Sequence, residues 1–171
     1  MTIARSGRGA LAVVVAQRLG ELAWSRRNEG RLARRGGVES DSGHHPAMVA
    51  LHSGWIVATA WEASRGGRAR PGALAAYALL QPLRYWVIRT LGDRWTTRIV
   101  VVPGEAPVTS GPYRWVEHPN YLVVAAELVV LPLGVGAPRT AAVTSVLNAA
   151  LMAIRIPAER RALDAAVAAR T

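Results

Sequence analysis

The chain has no cysteine, no phenylalanine and no lysine. Without cysteine it can form no disulfide, no thiolate metal site and no thiol nucleophile. Without lysine, every one of its 21 basic residues is arginine, a bias we read as that of a GC-rich genome rather than as chemistry. Acidic residues are scarce as well, 11 in all, which leaves a net charge of +10. In a soluble protein that excess would point to nucleic acid. Here the arginines lie mostly between apolar runs, the pattern of charge that flanks membrane segments, so nucleic acid is not an expected partner. There is no glycine-rich dinucleotide fingerprint and no internal repeat. A convincing signal-peptide cleavage site is also missing. The first apolar run, 10–23, carries Arg18 and Glu21 and reads as a retained helix.

What is present is apolar. The 171 residues suit one domain, and 51% of them are hydrophobic. Five apolar segments cover 9–24, 46–61, 71–91, 119–137 and 139–156. A bilayer core needs roughly 20 apolar residues, with ~17 as a lower limit. Three segments approach or meet this, and the first two are short or interrupted by polar residues. The expected architecture is an all-α, polytopic membrane bundle of about five transmembrane helices. The alternative is a soluble bundle of very apolar helices. The domain is expected to occupy 1–171, with N-terminal spans in 1–90 and a cofactor-binding, catalytic half in 91–165.

Charge placement orients that bundle. With the N-terminus outside, the inner segments hold Arg26, Arg27, Arg31, Arg34 and Arg35, then Arg84, Arg89, Arg94, Arg98 and Arg114, then Arg155, Arg160, Arg161 and Arg170. The outer segments hold fewer: Arg5, Arg8, Arg65, Arg68, Arg70 and Arg139. The excess marks the inner side as cytoplasmic. The loop at 94–110 contains Ile99, Val100, Val101 and Val102 before Pro103 and Gly104, which suits a short strand or buried extended segment ending in a turn. The alanine-rich end, 160–170, is expected to be an amphipathic tail on the cytoplasmic surface.

Chemistry concentrates in Gly111-Pro-Tyr-Arg-Trp-Val-Glu-His-Pro-Asn-Tyr121. Proline disfavours helix for the residue before it and suits the first helical position, so His118-Pro119 marks a helix start. Free N–H groups in that first turn attract an anion. Tyr113, His118 and Tyr121 lie close enough in sequence to add side-chain hydrogen bonds around it. The alternative is an ordinary helix start with interfacial aromatics. Near the end, Arg155 and Glu159 are four residues apart and share a helical face, although Pro157 disturbs the helix between them. Glu127 lies deep in the fourth apolar run and is either functional or paired with Arg84 or another arginine. Asn148 in the fifth run is either a helix–helix hydrogen bond or a pocket wall. His44, His45 and His52 show no recognised ligand spacing, so no metal site is expected.

These residues together resemble the isoprenylcysteine carboxyl methyltransferase family of integral-membrane enzymes. The resemblance rests on the 111–121 motif, on Glu127 and Pro132-Leu133, and on Arg155, Glu159 and Leu163, and covers about 90–165. It implies S-adenosylmethionine as cofactor in a cytoplasm-facing pocket of the cytoplasmic membrane, and a lipidic acceptor entering from the bilayer. By this resemblance Tyr113, His118, Pro119 and Tyr121 contact the cofactor, the Gly111-Pro112 backbone shapes its pocket, Glu159 binds its amino group and Arg155 sits near the acceptor. Arg155 and Glu159 are thus the expected catalytic pair. The family's usual second acid near the end is replaced here by Arg160. The N-terminal half, with Glu21, Ser25-Arg-Arg-Asn28, Gly36-Gly-Val-Glu39, Leu51-His52 and Arg94-Trp-Thr-Thr-Arg98, resembles a bacterial branch linked to long-chain polyketide phenols and pyrones. That implies a ring hydroxyl as acceptor and a polyketide synthase as pathway partner. Trp95, Arg98, Glu127 and Asn148 are the expected acceptor-binding residues.

Methyl transfer needs in-line approach by an electron-rich oxygen, and the protein contributes mainly positioning. Arginine cannot act as a base, but Arg155 suits either a carboxylate or a phenol whose ionisation a nearby cation favours. A related membrane reductase using a nicotinamide cofactor is one alternative, and a non-catalytic membrane scaffold is another.

Overall fold

The computed structural model describes residues 2–40 and 42–169, with residues 2–8 and 42 described by backbone alone. The side chains of Arg5 and Arg8, all of Arg170, and Asp41 of the loop after the first helix lie outside the described residues. Five α-helices dominate: α1 (Thr2–Arg34), α2 (His45–Ser64), α3 (Pro71–Leu91), α4 (Pro119–Val135) and α5 (Pro138–Ala168). Two short strands, β1 (Val38–Glu39) and β2 (Val100–Val101), pair antiparallel with Val38 opposite Val101.

Local chemistry sets most of the boundaries. α2, α3, α4 and α5 each have proline in the first turn, where the missing N–H would have no helical partner anyway. α4 ends at Gly136, which takes a left-handed conformation (φ +87°) while Ala137 N–H returns to the Pro132 carbonyl at 2.7 Å. Gly136 is also a point of close backbone approach. A Cβ on Gly67 would lie 1.9 Å from the Gly136 carbonyl oxygen, so the α2–α3 and α4–α5 loops meet backbone to backbone. Beside them Glu62 accepts the Arg139 and Thr140 backbone N–H groups at 3.0 and 2.7 Å, capping α5 from another helix.

The apolar core is centred on Trp55, Tyr77, Leu128 and Leu131, contributed by α2, α3 and α4. Inside the same bundle lies an ionic cluster. Glu127 of α4, 1% exposed, accepts from Arg18 of α1 (2.6 Å), Arg84 of α3 (3.0 Å) and Gln81 (3.0 Å). Glu21 of α1 accepts both arms of the Arg84 guanidinium at 2.6 and 2.7 Å, and Arg18 at 2.8 Å. The outward faces are the reverse. Large apolar side chains stand exposed on all five helices, among them Leu19, Val57, Leu79, Leu122 and Val146. Such a surface is not that of a typical soluble monomer.

One expectation is met in part and another needs correction. Five helices occupy the five apolar segments, but among the described residues only α5 is long and apolar enough to cross a membrane by itself. α4 is apolar but has 17 residues. α1 and α3 carry the charges of the ionic cluster, which lower their mean hydropathy although those charges face one another. The C-terminal tail is also not a separate surface element. α5 continues through Pro157 to Ala168 as one helix. Proline removes one hydrogen bond and crowds the preceding turn, but Ala158 and Ala162 pack on Ile99, and Ala166 accepts the Gly104 N–H at 2.8 Å. These contacts hold the last third of α5 against β2.

Candidate active site

The site is built from three segments brought to one end of the bundle. The first is the stretch after α3. α1 grips it with two fully buried side chains. Asn28 donates to the Gly92 and Trp95 carbonyls at 3.0 and 2.8 Å, and Ser25 accepts the Thr97 N–H at 2.8 Å. The second is the 111–121 motif. Gly111 has φ +55°, and a Cβ there would lie 2.6 Å from the Thr90 hydroxyl, so glycine both makes the turn and seats it on α3. Trp115 then packs edge-on against Trp86, with ring centroids 6.0 Å apart. The third segment is the second half of α5.

Tyr121, in the first turn of α4, joins the two ends of the four-residue α5 repeat. Its hydroxyl accepts from Arg155 Nε at 2.8 Å and donates to Glu159 Oε2. Arg155 is 5% exposed, and its other contacts are the Thr97 carbonyl (2.9 Å) and His44 Nε2 (3.2 Å). Among the described residues no carboxylate lies within ion-pair distance of Arg155. His118 stacks on Tyr121 with centroids 5.4 Å apart, and its Nδ1 is 3.6 Å from Glu159 Oε2. Glu117 and Arg160 pair across the rim, with Arg160 Nε 2.8 Å from Glu117 Oε1.

Electrostatics follow from this packing. Burial, reinforced by the Glu159 charge, pushes the Tyr113 phenol up, so it stays protonated at neutral pH. The hydrogen bond from Arg160 holds the Glu117 carboxyl below the usual carboxylate range.

Between the three segments lies a cavity of about 510 Å³. This is within the ~300–1,000 Å³ of typical small-molecule sites. Of the expected residues, Tyr113, His118, Tyr121, Arg155, Glu159, Trp95 and Arg98 line it. Gly111, Pro112 and Pro119 are not among its lining residues. Glu127 and Asn148 are not brought there: Glu127 belongs to the ionic cluster, and Asn148, 3% exposed, lies elsewhere on α5. Three contributors escaped the sequence reading: His44, the Thr97 carbonyl, and Asn120, whose buried Oδ1 lacks a protein partner at the cavity wall. Asn120 was visible inside the motif. Nothing local marks His44 as a neighbour of a residue 111 positions away.

The model of the isoprenylcysteine carboxyl methyltransferase (ICMT) family matches residues 73–165, which include the 111–121 motif, Arg155 and Glu159. An uncharacterized protein of Bacillus subtilis (strain 168), YpbQ, is 35% identical over 158 residues, covering 90% of this chain and 94% of that protein. An uncharacterized protein of Haemophilus influenzae is 26% identical over 158 residues, 90% of this chain and 92% of that protein. No solved structure matches. The chain belongs to the isoprenylcysteine carboxyl methyltransferase family of membrane methyltransferases.

Proposed function

We propose that this protein is an S-adenosylmethionine-dependent O-methyltransferase. Its cavity faces the cytoplasm, and its acceptor is a lipid bearing an ionised or ionisable oxygen, a carboxylate or the hydroxyl of a long-chain phenol or pyrone. The observation that carries this reading is Arg155: a buried cation on a cavity wall that, among the described residues, has no carboxylate within ion-pair distance. A buried charge is costly unless paired, and an anionic oxygen in the cavity would complete it.

The residues fit the cofactor. The cavity has the volume for a small molecule, Glu159 offers a carboxylate to a cationic amine, and Asn120 offers an acceptor without a protein partner. Bound S-adenosylmethionine would supply a methyl group on a positively charged sulfur. The chain's own residues do the rest. Tyr121 orients Glu159 toward the cofactor side and Arg155 toward the acceptor side through one hydroxyl. Three of the five guanidinium N–H groups of Arg155 are engaged, so two remain for an oxygen. That cation favours the ionised acceptor and holds it in place.

The membrane setting is supported by the exposed apolar faces on all five helices and by the enclosure of their charges. We read all five helices as embedded, with the arginine-rich cavity end inside. A polyketide synthase is the kind of enzyme that would supply a phenolic or pyrone acceptor.

Calorimetry with S-adenosylmethionine on the detergent-purified protein tests the reading. Binding that His118→Ala and Glu159→Gln weaken supports it, and transfer is then assayed on a long-chain alkylresorcinol, an alkylpyrone and a prenylcysteine acid. A folded protein that does not bind S-adenosylmethionine would refute it.

A further inference from the structure

We infer that His44 is a positioning residue for Arg155, acting as a neutral acceptor whose Nε2 carries no proton. Its kinetic consequence rests on the role proposed above for Arg155; the contact itself does not. His44 is 7% exposed and ends the 3-10 turn Ser42–His44 that leads into α2. Its Nε2 lies 3.2 Å from Arg155 Nη1. A guanidinium has only donors. The contact is therefore a hydrogen bond only when the imidazole proton resides on Nδ1. A proton on Nε2 would leave two donors facing each other, and full protonation would set two cations side by side.

The geometry explains why a third anchor matters. Tyr121 from α4, Thr97 from the stretch after α3, and His44 approach Nε, Nη2 and Nη1 respectively, so together they fix the guanidinium plane. A planar fork used for an oxygen acceptor works only if its plane is fixed. The segment bearing His44 is itself held. β1 pairs with β2, and Ser40 N–H donates to the Ile99 carbonyl at 2.9 Å, four residues before His44. His44 lies outside residues 73–165. The N-terminal half thus completes the site directly through His44 and indirectly through Ser25, which orders the Thr97 stretch.

The first test is nitrogen NMR on the full chain labelled with nitrogen-15 histidine. The protein has four histidines, and the His44 signal is the one lost in His44→Gln. At neutral pH we expect an unprotonated Nε2 and a protonated Nδ1, and a change of that signal in Arg155→Ala. A protonated Nε2 in the parent protein, or an unchanged signal in folded Arg155→Ala, overturns the inference. The second test is kinetic, with the alkylresorcinol and the prenylcysteine acid as probes. His44→Ala is expected to keep S-adenosylmethionine affinity within about twofold while methyl transfer falls about 10- to 100-fold, as for a misplaced positioning group. His44→Gln, whose amide oxygen can accept from Arg155, is expected to recover most of the rate. An unaffected rate in His44→Ala, or no recovery in a folded His44→Gln, rejects the positioning role. Failure of the parent protein to bind S-adenosylmethionine would reject the methyltransferase reading instead, and the NMR result would still decide the contact.

Discussion

The chain buries charge in two places, and it treats them differently. In the middle of the bundle, Arg18 and Arg84 face Glu21 and Glu127, cation against anion, with Gln81 completing Glu127. At the cavity, Arg155 faces a hydroxyl, a carbonyl and an imidazole, and its own helix's Glu159 is reached only through Tyr121. The first cluster sets each cation against an anion and lies off the cavity. The second is short of an anion and lines it. Burial of charge alone therefore does not mark a binding site here. What sets Arg155 apart is that its charge, without a carboxylate partner among the described residues, lies beside an open volume.

Breaking the closed cluster should produce the largest effect. Glu127→Leu leaves Arg18 and Arg84 to share Glu21 alone, and removal of one partner from a buried ion pair costs about 3–5 kcal/mol. Thermal unfolding in detergent should show that loss, and the folded fraction should keep its S-adenosylmethionine affinity. A loss of affinity with unchanged stability would place Glu127 with the functional residues after all. Next comes Arg155→Lys. Lysine keeps the charge but not the planar fork. Methyl transfer to the acceptor probes should fall about 100-fold, the scale of a misplaced catalytic contact. Cofactor binding and melting temperature should change little.

Glu159→Gln sharpens the comparison from the other side. A hydrogen bond to a charged group contributes about 1.5–3 kcal/mol, so S-adenosylmethionine affinity should fall about tenfold or more by calorimetry. An unchanged affinity would remove Glu159 from the cofactor's contacts. The smallest effect is expected from Glu62→Ala, outside both clusters. Loss of its bonds to the first turn of α5 should lower stability by about 1 kcal/mol, the usual scale of a helix cap, with cofactor affinity unaltered.

Much of this was legible in the sequence because it is local. Pro119 starts α4 and Pro71 starts α3 by the same steric rule that can be read from the letters. The spacing of Arg155 and Glu159 puts both within reach of Tyr121. Ile99 to Val102 reads as extended before its partner is known. Partners across the chain were not legible. Glu127 stood out as a buried acid, and Arg84 was a named candidate partner. That Arg18 and Glu21 turn inward to join them depends on how α1 is rotated, which packing decides. The course of α5 past Pro157 was hidden for a similar reason. A local rule warned of a disturbed helix, while Ile99, distant in sequence, supplies the surface that holds it.

The passage of α5 through Pro157 as one helix has a consequence for how this protein can diversify. Arg155 and Glu159 sit on consecutive turns of the same rod, about 6 Å apart along its axis. The rod is anchored at its far end by Glu62. It therefore acts as a fixed ruler between whatever occupies the two sides of the cavity, and the helix cannot lengthen or shorten that interval without losing its register. Thr97, Ile99 and Gly104 themselves hold Arg155 and the end of the rod, so under the proposed function room for a different acceptor must come from the remaining wall, at 105–109, where changes leave those contacts intact.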